Sequence, residues 1–336
     1  MLTDIALIIL VALLGNLGFS KIGLPGILGM ITGGVILGPS CLDLINSEVL
    51  VLLKEFKTVA LIVILIRAGL GINRETLNRI GGPAIRMGFM PCIVEGVAVT
   101  AASYYLLQLP LFESGMLGFI IAAVSPAVVV PQMLELKDNG FGQAKEIPTL
   151  VLAGASVDDI FAITLFSVFA GMAAGGSVDV LRLCVGVPGG IVLGGAIGAA
   201  FGFVLVWFFK RYHLRDTKKV ILFMIIAVVF YEMCELPSVK AVLPIAALLG
   251  IMAMGFVILE RYDVLAKRLA LKFQKIWVLA EILLFVYIGA EVRIDQLSGS
   301  LVGIGLLILA IGLAARSLGV WLSLKGSELD FKERVF

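Results

Sequence analysis

Two adjacent carboxylates, Asp158 and Asp159, stand in the otherwise small and apolar stretch GASVDDIFAI at residues 154–163. An ionised Asp at the centre of a helix in hydrocarbon costs about 2.5–3.5 kcal/mol, so two in succession indicate a function. Neighbouring helix residues project about 100° apart, so one carboxylate can face a cavity while the other faces a second helix. Such carboxylates can bind a cation or carry a proton.

A proline-containing stretch precedes the pair, AAVSPAVVVPQM at residues 122–133. Pro126 and Pro131 enclose a β-branched run that includes Val128 and Val129. Proline removes an amide donor and clashes with the carbonyl four residues back, so we expect the helix to unwind over this run; a simple kink is the alternative. Unwound backbone at membrane depth lines cavities, and the ends of half-helices hold ions. A broken helix beside paired carboxylates predicts a cation site.

Among the charged residues inside apolar runs, the further candidates are Glu95, Glu281, Arg67, Arg86 and Arg316. A lone Glu and a lone Arg in separate apolar helices are each costly without a partner, so we expect Glu95 to pair with Arg316. Asp158 is the competing partner for this Arg. Arg67, near the end of its helix, can extend to the aqueous phase, and Glu281 has no predicted partner.

Long apolar segments must position these residues. Hydrophobic residues make up 60% of the chain and charged residues 15%, and the mean hydropathy is +1.11, which indicate an integral membrane protein. Runs of roughly 20 apolar residues, each long enough to cross a bilayer, recur along the chain. We count eleven, near residues 2–20, 24–40, 49–72, 83–108, 115–135, 148–174, 181–209, 218–236, 241–259, 274–292 and 299–323.

The distribution of basic residues predicts the orientation of these segments. The loops after odd-numbered segments contain 18 Lys and Arg residues, whereas the even-numbered loops contain Arg182, Lys240 and Arg293. Basic residues favour the cytoplasmic side, so we expect the N-terminus outside and the odd-numbered loops in the cytoplasm. The expected location is a bacterial inner membrane.

Several functional classes lack their usual residues. Four cysteines show no C-x-x-C spacing, the chain has one histidine, and no glycine-rich phosphate-binding loop occurs. We therefore expect no zinc site, no cofactor, and no nucleotide or nucleic-acid partner. We expect the protein to be embedded in a lipid bilayer.

A glycine repeat marks the seventh segment, with a glycine at every fourth position: Gly186, Gly190, Gly194, Gly198 and Gly202. Small residues on one helix face permit close approach of a second helix. We expect tight packing along this face, and sliding along it is the alternative.

Four motifs in order, LPGILGMITGGVILGPS, SPAVVVPQMLEL, GASVDDIFAI and LLFVYIGAEVRI, resemble the monovalent cation/proton antiporters, and among them the NHA-type sodium/proton exchangers. The resemblance extends from about residue 20 to the last residue. It implies an all-α polytopic fold of two inverted-topology repeats with discontinuous helices, a homodimer, and an elevator-like movement of a core domain. The implied parts are a scaffold at 1–80 and 211–270, a core at 81–180 and 271–336, and a linker helix at 181–210.

The same resemblance implies the roles of the site residues. Asp159 would be the principal ion ligand and proton acceptor, and Asp158 would help to bind the ion or pair with a base. Together with Ser125 they would bind Na⁺ or Li⁺ through carboxylate, hydroxyl and carbonyl oxygens, which hard cations prefer. Glu95 and Arg316 would form the structural or modulating charge pair. A proton and a cation would then compete for one carboxylate site.

The chain ends at ELDFKERVF, where members of that family continue into a motif like P-K-A-T-V-Q on a second broken helix and one more crossing. LPGILG at 24–29 and LPIAALLG at 243–250 match weakly as starts of segments two and nine, so segment five would pair with segment twelve. We therefore expect the last two segments of the family to lie beyond this sequence, and transport by the 336 residues alone to be impaired.

Two alternative functions remain open. A K⁺/H⁺ antiporter or potassium-efflux system would share the fold, although such proteins usually carry Gln-Asp and a nucleotide-binding domain. An intramembrane aspartyl protease also buries two carboxylates, but it needs them on facing helices, and no G-x-G-D motif occurs. The chain is therefore predicted to be a transporter rather than an enzyme.

Overall fold

The computed structural model describes residues 2–72, 74–142, 145–173, 180–242, 245–294, 299–327 and 329–335. Within these ranges it does not describe the side chains of 75–81, 126, 156, 159, 160, 171, 180–187, 240–242 and 335. The helices are α1 Leu2–Lys21, α2 Gly26–Leu37, α3 Ser47–Gly69, α4 Arg74–Met87, α5 Met90–Leu106, α6 Leu111–Ala122, α7 Pro126–Asp138, α8 Ile147–Ala173, α9 Val180–Arg211, α10 Asp216–Glu235, α11 Pro237–Val242, α12 Ala247–Arg261, α13 Asp263–Ala290, α14 Gly299–Ser323 and α15 Phe331–Val335.

Five stretches are long and apolar enough to cross a membrane by length and composition, within the described residues: Leu2–Lys21, Gly82–Leu106, Leu111–Asp138, Pro188–Arg211 and Gly299–Ser323. Each run expected from the sequence coincides with one helix or with two consecutive helices. The helical nature of the runs is therefore confirmed, and the count of eleven crossings stays a prediction.

The chain forms two compact units. One comprises Met1–Ile64 and Leu271–Leu301, and the other comprises Leu65–Ala270 and Val302–Phe336. These boundaries differ from those of the scaffold and core implied by the family resemblance. Because that partition concerns movement during transport, it stays a prediction.

In the first unit, glycines of the LPGILGMITGGVILGPS motif bring three helices together at backbone distance. A Cβ atom on Gly29 would lie 2.1 Å from the Gly15 carbonyl oxygen of α1. A Cβ atom on Gly34 would lie 2.2 Å from the Val286 carbonyl oxygen of α13. Only glycine fits such contacts, so this motif sets the packing of α2 on its neighbours.

In the second unit, α5, α6 and α8 pack together around aromatic rings. Phe119 of α6 lies against Gly96 of α5, where a Cβ atom would be 2.4 Å from its ring. Phe169 of α8 occupies the corresponding space beside Gly115 of α6, and its ring stacks on that of Phe119 with centroids 5.7 Å apart. These contacts hold α6 between the two helices that carry Glu95 and Asp158.

The helix predicted to break does so between α6 and α7. Helix α6 ends at Ala122, residues 123–125 are not helical, and α7 begins at Pro126. Ser125 has extended backbone angles, φ −68° and ψ 113°, as expected for a residue that precedes proline. Proline is well tolerated at the first position of a helix, so Pro126 starts the second half-helix.

The predicted position of the break requires correction. Val128, Val129 and Pro131 were expected to unwind, but they lie within α7. Pro131 lies inside α7 without ending it, and it lacks the amide that would otherwise bond to the Ala127 carbonyl. The unwound residues are therefore 123–125, just before the first proline rather than between the two.

The glycine face of α9 packs against α12. A Cβ atom on Gly194 would lie 2.5 Å from the Ala246 carbonyl oxygen, and one on Gly198 would lie 2.1 Å from the Gly250 carbonyl oxygen. A Cβ atom on Gly202 would likewise lie 2.8 Å from the Cβ atom of Val257. The predicted tight packing is confirmed for these three glycines. Gly190 accepts a hydrogen bond from the Ala246 amide, and the position of Gly186 lies outside the described side chains.

Gly198→Ala should lower the stability of the protein, whereas Gly195→Ala should raise it. The added methyl group at 198 would overlap the α12 backbone, and overpacking of this kind costs about 1–3 kcal/mol. Position 195 has no atom within 4 Å of its Cβ site, so there the replacement gains only helix propensity, up to about 1 kcal/mol. Thermal unfolding of both variants in the same detergent measures the difference. Equal melting temperatures would contradict the close packing of α9 on α12.

Candidate cation-binding site

Asp158 lies near the middle of α8, and its side chain is buried, with 1% exposure. Asp159 follows it in the same helix, and its side chain lies outside the described residues. The neighbouring residues are small or apolar, so the helix itself offers Asp158 no charged partner on its own face. A positively charged side chain that pairs with Asp158 must therefore come from another element.

Helix α14 supplies this cation, because Arg316 lies on its buried face between two glycines. Gly312 is four residues before Arg316, and Gly319 is three residues after it, so all three share one face. A Cβ atom on Gly312 would lie 2.9 Å from Val99 Cγ2, and one on Gly319 would lie 2.7 Å from Pro91 Cα. The glycines let α14 approach α5 closely, which places Arg316 beside Glu95.

The Arg316 guanidinium contacts three acceptors on three helices. Its Nη1 donates to Glu95 Oε2 of α5 and, at 3.0 Å, to the carbonyl oxygen of Ala122. Its Nη2 donates to Asp158 Oδ2 of α8 at 2.9 Å. The sequence left Glu95 and Asp158 as alternative partners, and the structure brings both to Arg316.

The Ala122 contact links the charge cluster to the helix break. Ala122 is the last residue of α6, and carbonyl groups at a helix C-terminus lack amide partners and carry partial negative charge. A guanidinium has five donors in a plane, so it can serve a carbonyl and two carboxylates together. The sequence analysis did not identify this contact. The paired Gly312 and Gly319 around Arg316 were the signal that this face of α14 is buried.

The described part of the cluster has more negative than positive charge. Glu95 and Asp158 are both buried, at 4% and 1% exposure, and they share one guanidinium. The Val124 amide, in the break, interacts with the Asp158 carboxylate, but Asp158 Oδ1 has no partner of hydrogen-bond geometry among the described residues. A buried carboxylate oxygen without a donor favours uptake of a proton or a cation.

A cavity of about 400 Å³ reaches this cluster. Asp158, Arg316 and Val124 line one part of it, and Val129 of α7 also contributes. Apolar side chains from α8 and α14 form most of the remaining wall. Leu329, Glu333 and Arg334 also line the cavity. The cavity therefore connects the buried carboxylate with the segment that follows α14.

Glu333, one of the residues that line the cavity, belongs to an ion pair. Lys145 Nζ lies 2.8 Å from Glu333 Oε2, and the Asp330 amide donates to the same oxygen at 2.7 Å. The hydrogen bond from Lys145 and that from the Asp330 amide hold the pKa of Glu333 below its usual value. Leu329 packs beside these residues against Ile147 and Leu150 at the start of α8. The segment that follows α14 thus contributes both apolar and charged side chains to the cavity lining.

The remaining candidate residues lie in other places. Ser125 is exposed at the start of α7 and makes no side-chain capping hydrogen bond there. Arg67 Nη2 lies 3.8 Å from Asp138 Oδ2, and Arg86 Nη1 donates to the Lys325 carbonyl oxygen at 2.9 Å. Glu281 lies in α13 of the first unit and is partly buried.

The described residues include no group of three or more His, Cys, Asp or Glu side chains arranged to hold a metal ion. A monovalent ion at Asp158 would therefore need neutral oxygens in addition to carboxylates. The backbone beside the break reaches the cluster through the Ala122 carbonyl, which accepts from Arg316, and the Val124 amide, which interacts with Asp158. Hard cations accept such mixed oxygen ligands.

Comparison with known families identifies relatives of the whole chain. The family described as sodium/hydrogen exchanger, transmembrane, matches residues 6–336. Sodium/hydrogen exchanger 9B2 of Mus musculus is 34% identical over 319 residues, which are 93% of this chain and 57% of that protein. Sodium/hydrogen exchanger 9B1 of Homo sapiens is 31% identical over 327 residues, which are 93% of this chain and 60% of that protein.

A solved structure shares the fold. The sodium proton antiporter MjNhaP1 from Methanocaldococcus jannaschii superposes with a TM-score of 0.78 at 22% sequence identity, covering 99% of this chain and 80% of that one. The fold is therefore that of the helical sodium/proton antiporters, which confirms the fold class expected from the sequence. The chain spans 57–60% of the length of the two curated relatives. Those relatives are animal proteins, so they do not support the expected bacterial membrane, which stays a prediction.

Proposed function

Since this chain belongs to the family of transmembrane sodium/hydrogen exchangers, we propose that it exchanges Na⁺ or Li⁺ for H⁺ across a membrane as a secondary active transporter. The observation that carries the proposal is the Asp158 carboxylate. It is buried beside a helix break at the end of a cavity, and it shares Arg316 with Glu95. Intramembrane carboxylates that face a cavity mark ion and proton pathways.

The proposed chemistry is competition between a proton and a cation for one site. At high proton concentration Asp159 is protonated and the cation leaves. At lower proton concentration Asp159 is ionised and binds Na⁺ or Li⁺ with help from Asp158, Ser125 and backbone carbonyls of residues 123–125. Arg316 pairs with Asp158 through a direct hydrogen bond. No covalent step and no cofactor enters this scheme.

Alternating access would couple the two ions. A site that holds neither ion has uncompensated negative charge, which crosses a region of low dielectric constant only at high energy. A protonated or cation-loaded site lacks that excess, so the movement occurs with one ion or the other bound. We assign the moving core to 81–180 and 271–336, the scaffold of a homodimer to 1–80 and 211–270, and the linker helix to 181–210. The odd-numbered loops lie in the cytoplasm under this assignment.

Proteoliposomes that contain a trapped pH indicator test this function. A pulse of Na⁺ or Li⁺ should change lumenal pH at a rate well above that of protein-free vesicles, and an equal pulse of K⁺ should not. The physical reason is that a compact site of carboxylate and carbonyl oxygens distinguishes cations by size. An equal response to K⁺ would favour the K⁺/H⁺ alternative. No response to any of the three ions, from this chain and from the chain extended by the family's two further segments, would contradict the proposed exchange.

A further inference from the structure

The C-terminal part of α7 packs on the end of α3 through one face. Leu134, Lys137 and Asp138 are three and four residues apart, so they project to the same side of the helix. Leu134 is buried there, and its Cδ2 atom lies 3.5 Å from where a Cβ atom on Gly71 would be. The half-helix after the break therefore has an apolar contact with the residues that end α3.

Lys137 adds a charged contact to this apolar one. Its Nζ donates to the Gly71 carbonyl oxygen at 3.0 Å and to Thr149 Oγ1 of α8 at 3.2 Å. The Thr149 hydroxyl, which is fully buried, donates in turn to Glu146 Oε2 at 2.9 Å. Carbonyl groups that follow a helix carry partial negative charge, so a lysine is well placed at this end of α3. One side chain thus joins α3, α7 and α8.

An ion pair lies beside this contact. Arg67 Nη2, in the last turn of α3, is 3.8 Å from Asp138 Oδ2 at the end of α7. The Arg67 side chain is 13% exposed and that of Asp138 is 69% exposed, so water screens the pair on one side. Its contribution is smaller than that of the Lys137 hydrogen bonds, but it connects the same two helices.

These contacts fix the helices that carry the candidate site. Helix α7 begins at the break, and α8 contains Asp158. Thr149 lies between Ile147 and Leu150, both of which line the cavity that reaches Asp158. The contact with α3 and the cavity therefore share the first turn of α8. A movement of α7 and α8 relative to α3 would break the hydrogen bond from Lys137 to the Gly71 carbonyl and the ion pair between Arg67 and Asp138.

We propose that Leu134, Lys137 and Asp138 of α7 form a releasable lock on Arg67 and Gly71, which holds the protein in the state in which Asp158 lines the cavity described above. This proposal rests on the exchange function proposed above, because only a protein that alternates between two states needs such a release. In each cycle the Lys137 hydrogen bonds and the Arg67 ion pair break and form again.

A reversible cross-link between α3 and α7 tests the lock. The double variant Gly71→Cys/Leu134→Cys places two thiols at the contact, and position 71 accepts a side chain because its nearest atoms are 3.4 Å from the Cβ site. A short bifunctional methanethiosulfonate should join them and lower the Na⁺/H⁺ exchange rate at least tenfold. A reductant should restore the rate. Each single-cysteine variant, treated in the same way, controls for reaction of the native cysteines and for steric block.

A second pair, Arg67→Cys/Asp138→Cys with a longer reagent, replaces one exposed and one partly exposed side chain and serves if Leu134→Cys fails to fold. Undiminished exchange by fully cross-linked protein would overturn the lock while leaving the exchange function intact. If the protein does not exchange ions before cross-linking, the proposed function is wrong and the lock is rejected with it.

Discussion

Asp159→Asn should reduce Na⁺-dependent proton movement to the level of protein-free vesicles. The replacement keeps the size of the side chain and removes the negative charge for which both ions compete. Asp158 differs from Asp159 in the proposed scheme, because it pairs with Arg316 at 2.9 Å and only helps to bind the ion. The measurement is the initial rate of the pH change after a Na⁺ pulse, at equal protein density.

Asp263→Asn is the matched control for this change. Asp263 lies at the start of α13, exposed to solvent, where it pairs with Lys267 four residues on. The same chemical replacement there should leave the exchange rate close to that of the parent protein. Near-normal exchange by Asp159→Asn would refute its assignment as the ion-binding and proton-carrying residue.

Arg316→Gln should destabilise the protein more than any other single change in the charge cluster. It leaves Glu95 and Asp158 buried without a cation and removes the donor to the Ala122 carbonyl. Removing one partner of a buried ion pair typically costs about 3–5 kcal/mol. Glu95→Gln should cost less, because Asp158 remains to pair with Arg316. Thermal unfolding in detergent, or the concentration of denaturant at half unfolding, measures the order of the two variants.

Combined variants identify which carboxylate is left without a positive charge when Arg316 is removed. Glu95→Gln/Arg316→Gln still leaves Asp158 without a cation, so its stability should stay low. Adding Asp158→Asn should recover much of the loss, because the last uncompensated charge is removed. Arg268→Gln controls for the loss of an arginine: that side chain is 50% exposed and pairs with Asp216 at the surface. Recovery in the Glu95/Arg316 double variant alone would show that Asp158 is not a principal partner.

Residue types and spacing were sufficient to predict the helical membrane fold and one acidic partner of Arg316. The high energy of isolated charges in hydrocarbon required Arg316 to have a buried acidic partner, and Glu95 is one. The sequence could not show that Asp158 is a second, because that depends on the rotation of α8 about its axis. A turn of about 100° would exchange Asp158 for its neighbour.

The helix break was also predicted only in part. Two prolines predicted an interruption, and an interruption is present, but at 123–125 rather than over Val128 and Val129. Proline favours the start of a helix at the first helical position but disrupts a helix at an interior position. The sequence alone does not show at which residue the helix begins, so it does not show which effect each proline has. The glycine repeat of α9 predicted close packing correctly, but its partner, α12, is fixed by tertiary structure.

The three acceptors of Arg316 belong to α5, α6 and α8, and the guanidinium itself belongs to α14. Four helices, three of them within residues 90–173 and the fourth at 299–323, therefore share one side chain. Local opening of any of them exposes a charge or a carbonyl that the other three have helped to compensate, which raises the free energy of partial unfolding. These helices should accordingly exchange their amide hydrogens as one cooperative unit, more slowly than the solvent-exposed ends of the same helices.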